Sequence, residues 1–367
     1  MKNKVKEYMK QNKKRIIFTV SLLILFTGVL IFMRNNHFLY QDTIIRITNI
    51  DEVRVEEEFG IEPIFHQTIT ARVMNGNAKG TIVYFEHERT YSMLTDSYFR
   101  VGNELFVDSI EDITTTNIIE VKRDFYVVLI MAVFLLLLVL ITKKKSLMIM
   151  SSIIVNMFIF FLITLLRGHG INILFLFIIG SILSTIITLL IVCGKNKKTL
   201  GAIISTLITV LITMIISFIV INHYQSTIRF EAMPFIAHFP DFAMIFYSGI
   251  LICGLGAIMD ISVLMSTSMH EIVTNNPKIT DKELKQSLWK IAQDTTGTSM
   301  NILFFASVIG AFPLVVFLAR NNQPIMFNFR HFASAEIVRS LVGSIGIVLA
   351  IPVSYYVNLR LRKRRKS

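Results

Sequence analysis

The side chains best placed for chemistry lie in the second half of the chain. The run Gly254-Leu-Gly-Ala-Ile-Met-Asp260-Ile-Ser-Val-Leu-Met-Ser-Thr-Ser-Met-His-Glu271 sets one carboxylate, Asp260, inside an apolar stretch that also carries Gly, Ser and Thr. That stretch, from about Phe242 to Met269, is long enough to cross a bilayer. A carboxylate in such a span costs about 2.5–3.5 kcal/mol on insertion scales, so it usually faces a bundle interior or a water-filled cavity. At helical spacing Cys253, Gly256, Asp260 and Thr267 share one face. One expectation is a proton- or cation-responsive carboxylate in a gap between helices. The other is a residue about 27 Å along its span, past the midplane, that reaches water or a cytoplasmic lysine.

Other polar groups are structural or functional candidates of the same kind. Glu336 and Arg339 stand three apart at the start of the last span, the spacing of a helical ion pair, and Glu336 suits the first turn of a helix. Asp294 precedes the entry Gly297-Thr-Ser-Met-Asn301, where Asn301 is placed to hydrogen-bond another helix. Asn156 and Asn172 read as lone structural polar residues. His270-Glu271 would open a metalloprotease motif only if a second histidine followed at Thr274, so Glu271 reads as a solvated helix-end residue. Gly254, Gly256, Gly343 and Gly346 would let neighbouring helices approach closely. The sequence has no Walker motif, Cys/His cluster, lipase-type serine motif or dinucleotide fingerprint. No catalytic residue, metal site or cofactor is expected, and the chain does not read as an enzyme. An intramembrane aspartyl hydrolase would need two carboxylates where one is plausible.

These residues must be positioned by a membrane bundle. The chain has 367 residues, 53% hydrophobic and 17% charged, well below the charge content of soluble domains. Apolar runs at Ile16–Met33, Phe125–Thr142, Leu147–Leu166, Ile171–Val192, Leu200–Ile221, Phe242–Met265, Met300–Leu318 and Ile337–Val357 predict about eight transmembrane helices. The first has a basic leader but no clear small-residue cleavage site, and reads as a retained anchor. Cys193 and Cys253 fall in apolar runs and read as small buried residues rather than a disulfide. Placing the N-terminus inside puts the basic leader, Lys143–Lys145, Lys195, Lys197, Lys198, the lysines of 278–290 and the tail from Arg360 to Lys366 on one side. The other side keeps scattered cases such as Arg167, Arg229, Arg320 and Arg330. Both termini are therefore expected in the cytoplasm, in a cell-membrane protein. The net charge of +12 is accounted for by topology and anionic lipid, without nucleic acid.

Between the first two spans, residues 34–123 form the one sizeable polar domain, expected outside. Short alternating runs at Thr43–Asn49, Gln67–Met74, Gly80–Glu88, Glu104–Ile110 and Asn117–Lys122 predict about five strands. Turn residues such as Asn75-Gly-Asn77 and Gly102-Asn103 separate them, which suits a small OB-like barrel serving as a cap or docking module. After the sixth span, Thr280-x-x-Glu283 makes a capping box, and Leu284, Leu288 and Ile291 mark an amphipathic helix. That helix is expected to be short and to lie on the inner membrane surface, anchored by Trp289.

In this order and spacing, Gly254-Leu-Gly-Ala-Ile-Met-Asp260-Ile-Ser, Ser266-Thr-Ser-Met-His-Glu271-Ile, Asn276-Pro277, Asp294-Thr-Thr-Gly297-Thr-Ser-Met-Asn301 and Glu336-Ile-Val-Arg339 through Gly343, Gly346 and Pro352 resemble the YibE/F-like family of bacterial membrane proteins. Gly80-Thr-Ile-Val and Tyr98-Phe-Arg-Val-Gly102-Asn resemble its extracytoplasmic domain. The chain departs from the family pattern at Ser262, Leu264 and Met265, where smaller residues such as Ala are usual. The resemblance implies a multi-pass protein without an established biochemical role, sometimes guessed to be a transporter. A weaker likeness joins the Gly-rich acidic helix and the domain between the first two spans to one half of resistance-nodulation-division and Sec-export permeases. By that analogy a homo-oligomer or a related membrane protein would supply a missing half. Two functions follow as expectations: a transport component with an Asp260-dependent conformational step, or a non-transporting scaffold acting through its β-domain.

Overall fold

The computed structural model describes residues 13–55, 64–90, 97–108, 118–142, 145–223, 242–320 and 324–363. The basic residues at 2–10, 143–144, 229 and 364–366 and the strand ends at 109–110 and 117 lie outside them. The chain forms two compact units, Met1–Ser146 and Leu147–Ser367.

The first unit holds helix α1 (Lys13–Arg34), strands β1 (Thr43–Val55), β2 (Ile64–Val73), β3 (Ile82–Thr90), β4 (Glu104–Val107) and β5 (Ile118–Val121), and helix α2 (Asp124–Thr142). All five expected strands are present. Alternation turns Ile45, Ile47, Ile69, Ala71, Val73, Val83, Phe85, Leu105 and Val107 into one closed core. The strand order is β3-β2-β1-β4-β5, antiparallel throughout, with β1 pairing both β2 and β4. This is the order of an OB-like barrel left open between β3 and β5, so the described strands make a half-barrel. A bulge between Ile47 and Asn49 bends β1. There Ile47 exchanges hydrogen bonds with Gly102 and Asn103, and Gly102 takes φ of 93°, a conformation that favours glycine.

A charged cluster ties the sheet to both helix ends. Lys122, its side chain 2% exposed, lies 3.2 Å from Glu104 and 3.1 Å from Asp124. Glu104 also accepts from Arg46, and the His37 ring lies 2.8 Å from it. Asp124, the first residue of α2, accepts from Asn36 and Tyr40, which follow α1. Burial alone would push the Glu104 carboxyl up. Hydrogen bonds from His37, Arg46 and Lys122 outweigh it, and the net shift is downward. A carboxyl lowered by folding contributes stability that is complete above its ordinary value of 4.5 and is lost as pH falls through the lowered folded value.

In the second unit run α3 (Ser146–Gly168), α4 (Ile173–Cys193), α5 (Lys197–His223), α6 (Phe242–Asn275), α7 (Asp281–Arg320) and α8 (Ser334–Lys363). A short helix at Ile325–Asn328 and a π-turn at Phe329–Ala333 precede α8. Among the described residues seven helices, α2 to α8, are long and apolar enough to cross a membrane, and α1 is apolar over the shorter stretch Val20–Arg34. The fold is that of a polytopic membrane protein with a β-domain between α1 and α2. Asn156 of α3 bonds Thr188 and Ser184 of α4, and Asn172 caps α4 through Leu174 N and Phe175 N.

The stretch after the capping box differs from expectation. Thr280 and Glu283 do close the box, at 3.1 and 3.3 Å. The helix they start is not a short surface helix but the first turns of α7, which continues unbroken for 40 residues. Its apolar stripe is covered by protein: Leu284, Leu288 and Ala292 are fully buried in one core with Met265, Met269, Ile351 and Tyr355. Trp289 packs edge-on against Tyr355, with ring centroids 5.6 Å apart.

Glu104→Gln strips Lys122 and Arg46 of a charged partner and is expected to destabilise the first unit by about 3 kcal/mol. Thermal unfolding of the full-length protein in detergent measures it. The gap to wild type should narrow as pH falls below 4.5, the carboxyl's ordinary value. A gap that stays constant into acid would show that the Glu104 charge is not what matters.

Candidate functional site

Three helices, α5, α6 and α8, make the densest part of the second unit, and small residues make that packing achievable. A Cβ built on Gly254 of α6 would lie 3.3 Å from the Cα of Gly343 on α8, so backbone meets backbone there. On Gly346 it would lie 2.7 Å from Thr213 Oγ1 of α5 and 2.8 Å from Ile258 Cδ1. Farther along, Ser354 Oγ donates to Ser262 Oγ at 3.3 Å, and Ser266 Oγ lies 2.9 Å from Asn358 Oδ1 and 2.5 Å from the Lys198 carbonyl. Asn358 Nδ2 donates to the Ser354 carbonyl at 2.8 Å, and a Cβ on Gly201 of α5 would overlap Asn358 Oδ1. The contacts keep a near-constant offset from residue 249 to residue 358, so α6 and α8 run parallel while α5 runs against both.

The other side of α6 is open. Gly256 and Asp260 are both exposed, and nothing lies within 4 Å of a Cβ on Gly256. The expected helix contact at Gly256 is therefore not made among the described residues. Cys253 Sγ lies 3.4 Å from Ser307 Oγ of α7. Because α7 runs antiparallel to α6, two turns onward from that contact brings Asp260 level with Met300 and Asn301, about 10 Å away along the axes. Asp294, Gly297, Thr298 and Asn301 are exposed on α7. Each helix thus leaves polar or small residues uncovered over the same stretch. Among the described residues Asp260 has no hydrogen-bond or ion-pair partner.

Glu336 and Arg339 form the ion pair their spacing implies, at 2.8 Å, both about four-fifths buried. The Arg339 guanidinium also sits 5.3 Å from the Phe246 ring and against Gly249, so it links α8 to α6. Glu271 is exposed near the end of α6, apart from that pair. The structure thus gathers Gly254, Gly343, Gly346, Glu336 and Arg339 along the α6–α8 contact, and leaves Asp260, Glu271, Asp294 and Asn301 away from it. Sequence reasoning missed Gly201, Ser354 and Asn358, and marked Ser262 only as a departure from the family pattern. The signal available was a small or polar residue every fourth position on both α6 and α8, Ser262 with Ser266 and Ser354 with Asn358. Among the described residues no three His, Cys, Asp or Glu side chains gather as a metal set.

Fold and site define a multi-pass membrane protein whose last helices pack through glycine and serine around a helix with an exposed acid. Residues 130–364 match the YibE/F-like protein family, and residues 38–121 match the YibE/F family N-terminal domain. The chain belongs to the YibE/F-like family. No curated protein and no solved structure matched it.

Two glycine substitutions separate packing from helix propensity. Gly346→Ala forces a methyl into Thr213 and Ile258 and should destabilise the protein by about 1–3 kcal/mol. Gly256→Ala meets open space and should be neutral or stabilise by up to about 1 kcal/mol. Thermal unfolding of the purified protein in detergent compares them, and equal effects would contradict the packing described.

Proposed function

We propose that this YibE/F-like protein is a membrane transport component, a permease part in which Asp260 takes part in a conformational step. One observation carries the reading: an ionisable side chain stands exposed on a membrane-spanning helix, opposite the face that locks α6 to α8. At bilayer depth such a group faces water or another protein, and gain or loss of its proton changes which it prefers. The protein resides in the cell membrane with both termini in the cytoplasm, the orientation favoured by its basic loops. The uncovered faces of α6 and α7 are completed by a second copy or by a related membrane protein. No chemistry on a substrate is required of it, and it acts as a non-enzyme.

A second reading makes the β-domain a docking module and the bundle its anchor. Val53, Ile82, Tyr84, Tyr98 and Val101 of the first unit are exposed and apolar or aromatic, which favours a protein partner there. Proton flux in proteoliposomes under an imposed potential distinguishes the two. Wild-type flux that falls to the protein-free background in Asp260→Asn, at matched incorporation, supports transport. Background traces from both proteins would sink uncoupled proton conduction and favour the anchored docking module.

A further inference from the structure

Where the C-terminal turns of α6 and α8 come together, the start of α5 closes a pocket of about 100 Å³. Its lining carries Lys197, Lys198, His270 and Arg362 and, among the described residues, no carboxylate. Ser266 and Asn358, each at least nine-tenths buried, contribute its uncharged polar groups. Arg362 Nη1 is buried without a hydrogen-bond acceptor among the described residues. Its ion-pair partner, Asp281, stands 3.7 Å away on α7, beyond hydrogen-bond reach.

Three permanent cations around one small pocket repel each other, with Lys197 exposed and Arg362 only loosely paired to Asp281, and an anion bound between them relieves that repulsion. The lining also includes the first turn of α5, whose backbone N–H groups have no partner within the helix and favour negative charge. The pocket is roomy enough for a group larger than a single water, on the scale of a phosphoryl group. A guanidinium and two ammonium groups match phosphate oxygens in charge and donor number.

We infer that this pocket binds a phosphate-type anion, carried either by an anionic lipid headgroup or by soluble phosphate. Bound there, the anion draws together α5, through Lys197 and Lys198, and α8, through Arg362, directly above the Ser266–Asn358 bond that sets the α6–α8 register. This is a clamp on the helix group, separate from Asp260, and it stands whether or not the protein conducts protons.

The test uses the purified full-length protein in a non-ionic detergent. Thermal unfolding is followed against added inorganic phosphate, phosphatidylglycerol and, as the uncharged-headgroup control, phosphatidylcholine. Wild type should be stabilised by phosphatidylglycerol over phosphatidylcholine. Stabilisation by inorganic phosphate as well assigns a soluble source, and its absence assigns the lipid. Lys198→Gln with Arg362→Gln should weaken the apparent affinity at least about tenfold, the loss expected for one charge-assisted hydrogen bond or more. Lys282→Gln with Lys290→Gln removes the same charge from α7 outside the pocket and should leave the affinity within about twofold. Should the pocket variant unfold early without ligand, Lys198→Arg keeps the charge and should retain binding. Equal affinities in the two double variants, or no preference of wild type for either anion, would overturn the inference.

Discussion

Helices inside a bilayer gain nothing by leaving apolar lipid, so they associate only where their surfaces approach closely enough for dispersion and hydrogen bonds to hold them. In this protein that constraint is met at Gly254 and Gly343, where α6 and α8 touch backbone to backbone. The rest of the second unit follows from that contact. α5 seats Thr213 against Gly346 and Gly201 against Asn358, and Leu303 of α7 lies over Gly343. The hydroxyls of Ser205, Thr209, Thr213 and Ser217 on α5 are satisfied within the helix, each donating to the carbonyl one turn back. These four polar residues can then be buried at membrane depth with their donors satisfied, whereas the hydroxyl of the neighbouring Thr206 is buried without a partner among the described residues.

The same contact decides where Asp260 goes. Leu255, Ile258, Ile261 and Met265 bury the face of α6 that the glycines bring inward. Asp260 falls on the opposite side, and a carboxylate in the dense core would be left without water or a partner. α6 is therefore divided lengthwise: one side packs against α8, the other presents an acid. In the first unit the burden falls on charge instead. Lys122, Glu104 and Asp124 hold β4 to the start of α2 by a buried network, where the half-barrel offers only a narrow apolar core.

Much of this was legible in the sequence. Apolar run length located the spanning helices, and period-two alternation located the strands, because both signals are local. The opening of the half-barrel was not, since closure depends on how β3 and β5 meet rather than on the pattern of either. The start of α7 shows the same limit: Leu284, Leu288 and Ala292 announce an apolar stripe, but nothing local says whether lipid or Tyr355 covers it. Gly254 and Gly256 stand two residues apart, nearly opposite on a helix, and only the third dimension shows that Gly254 meets α8 and Gly256 meets open space. Glu336 and Arg339 paired as their spacing implies, whereas the reach of Arg339 to Phe246 required the α6–α8 register.

That parallel register is the central claim, and a disulfide tests it most directly. The hydroxyls of Ser262 and Ser354 lie 3.3 Å apart. With Cys193 and Cys253 replaced by serine, Ser262→Cys paired with Ser354→Cys should cross-link readily within one chain under mild oxidation. Ser262→Cys paired with Ser340→Cys, buried on α8 about four turns away, should not. Cross-linking of the offset pair as fast as the facing pair, or of neither, would contradict the parallel packing of α6 and α8.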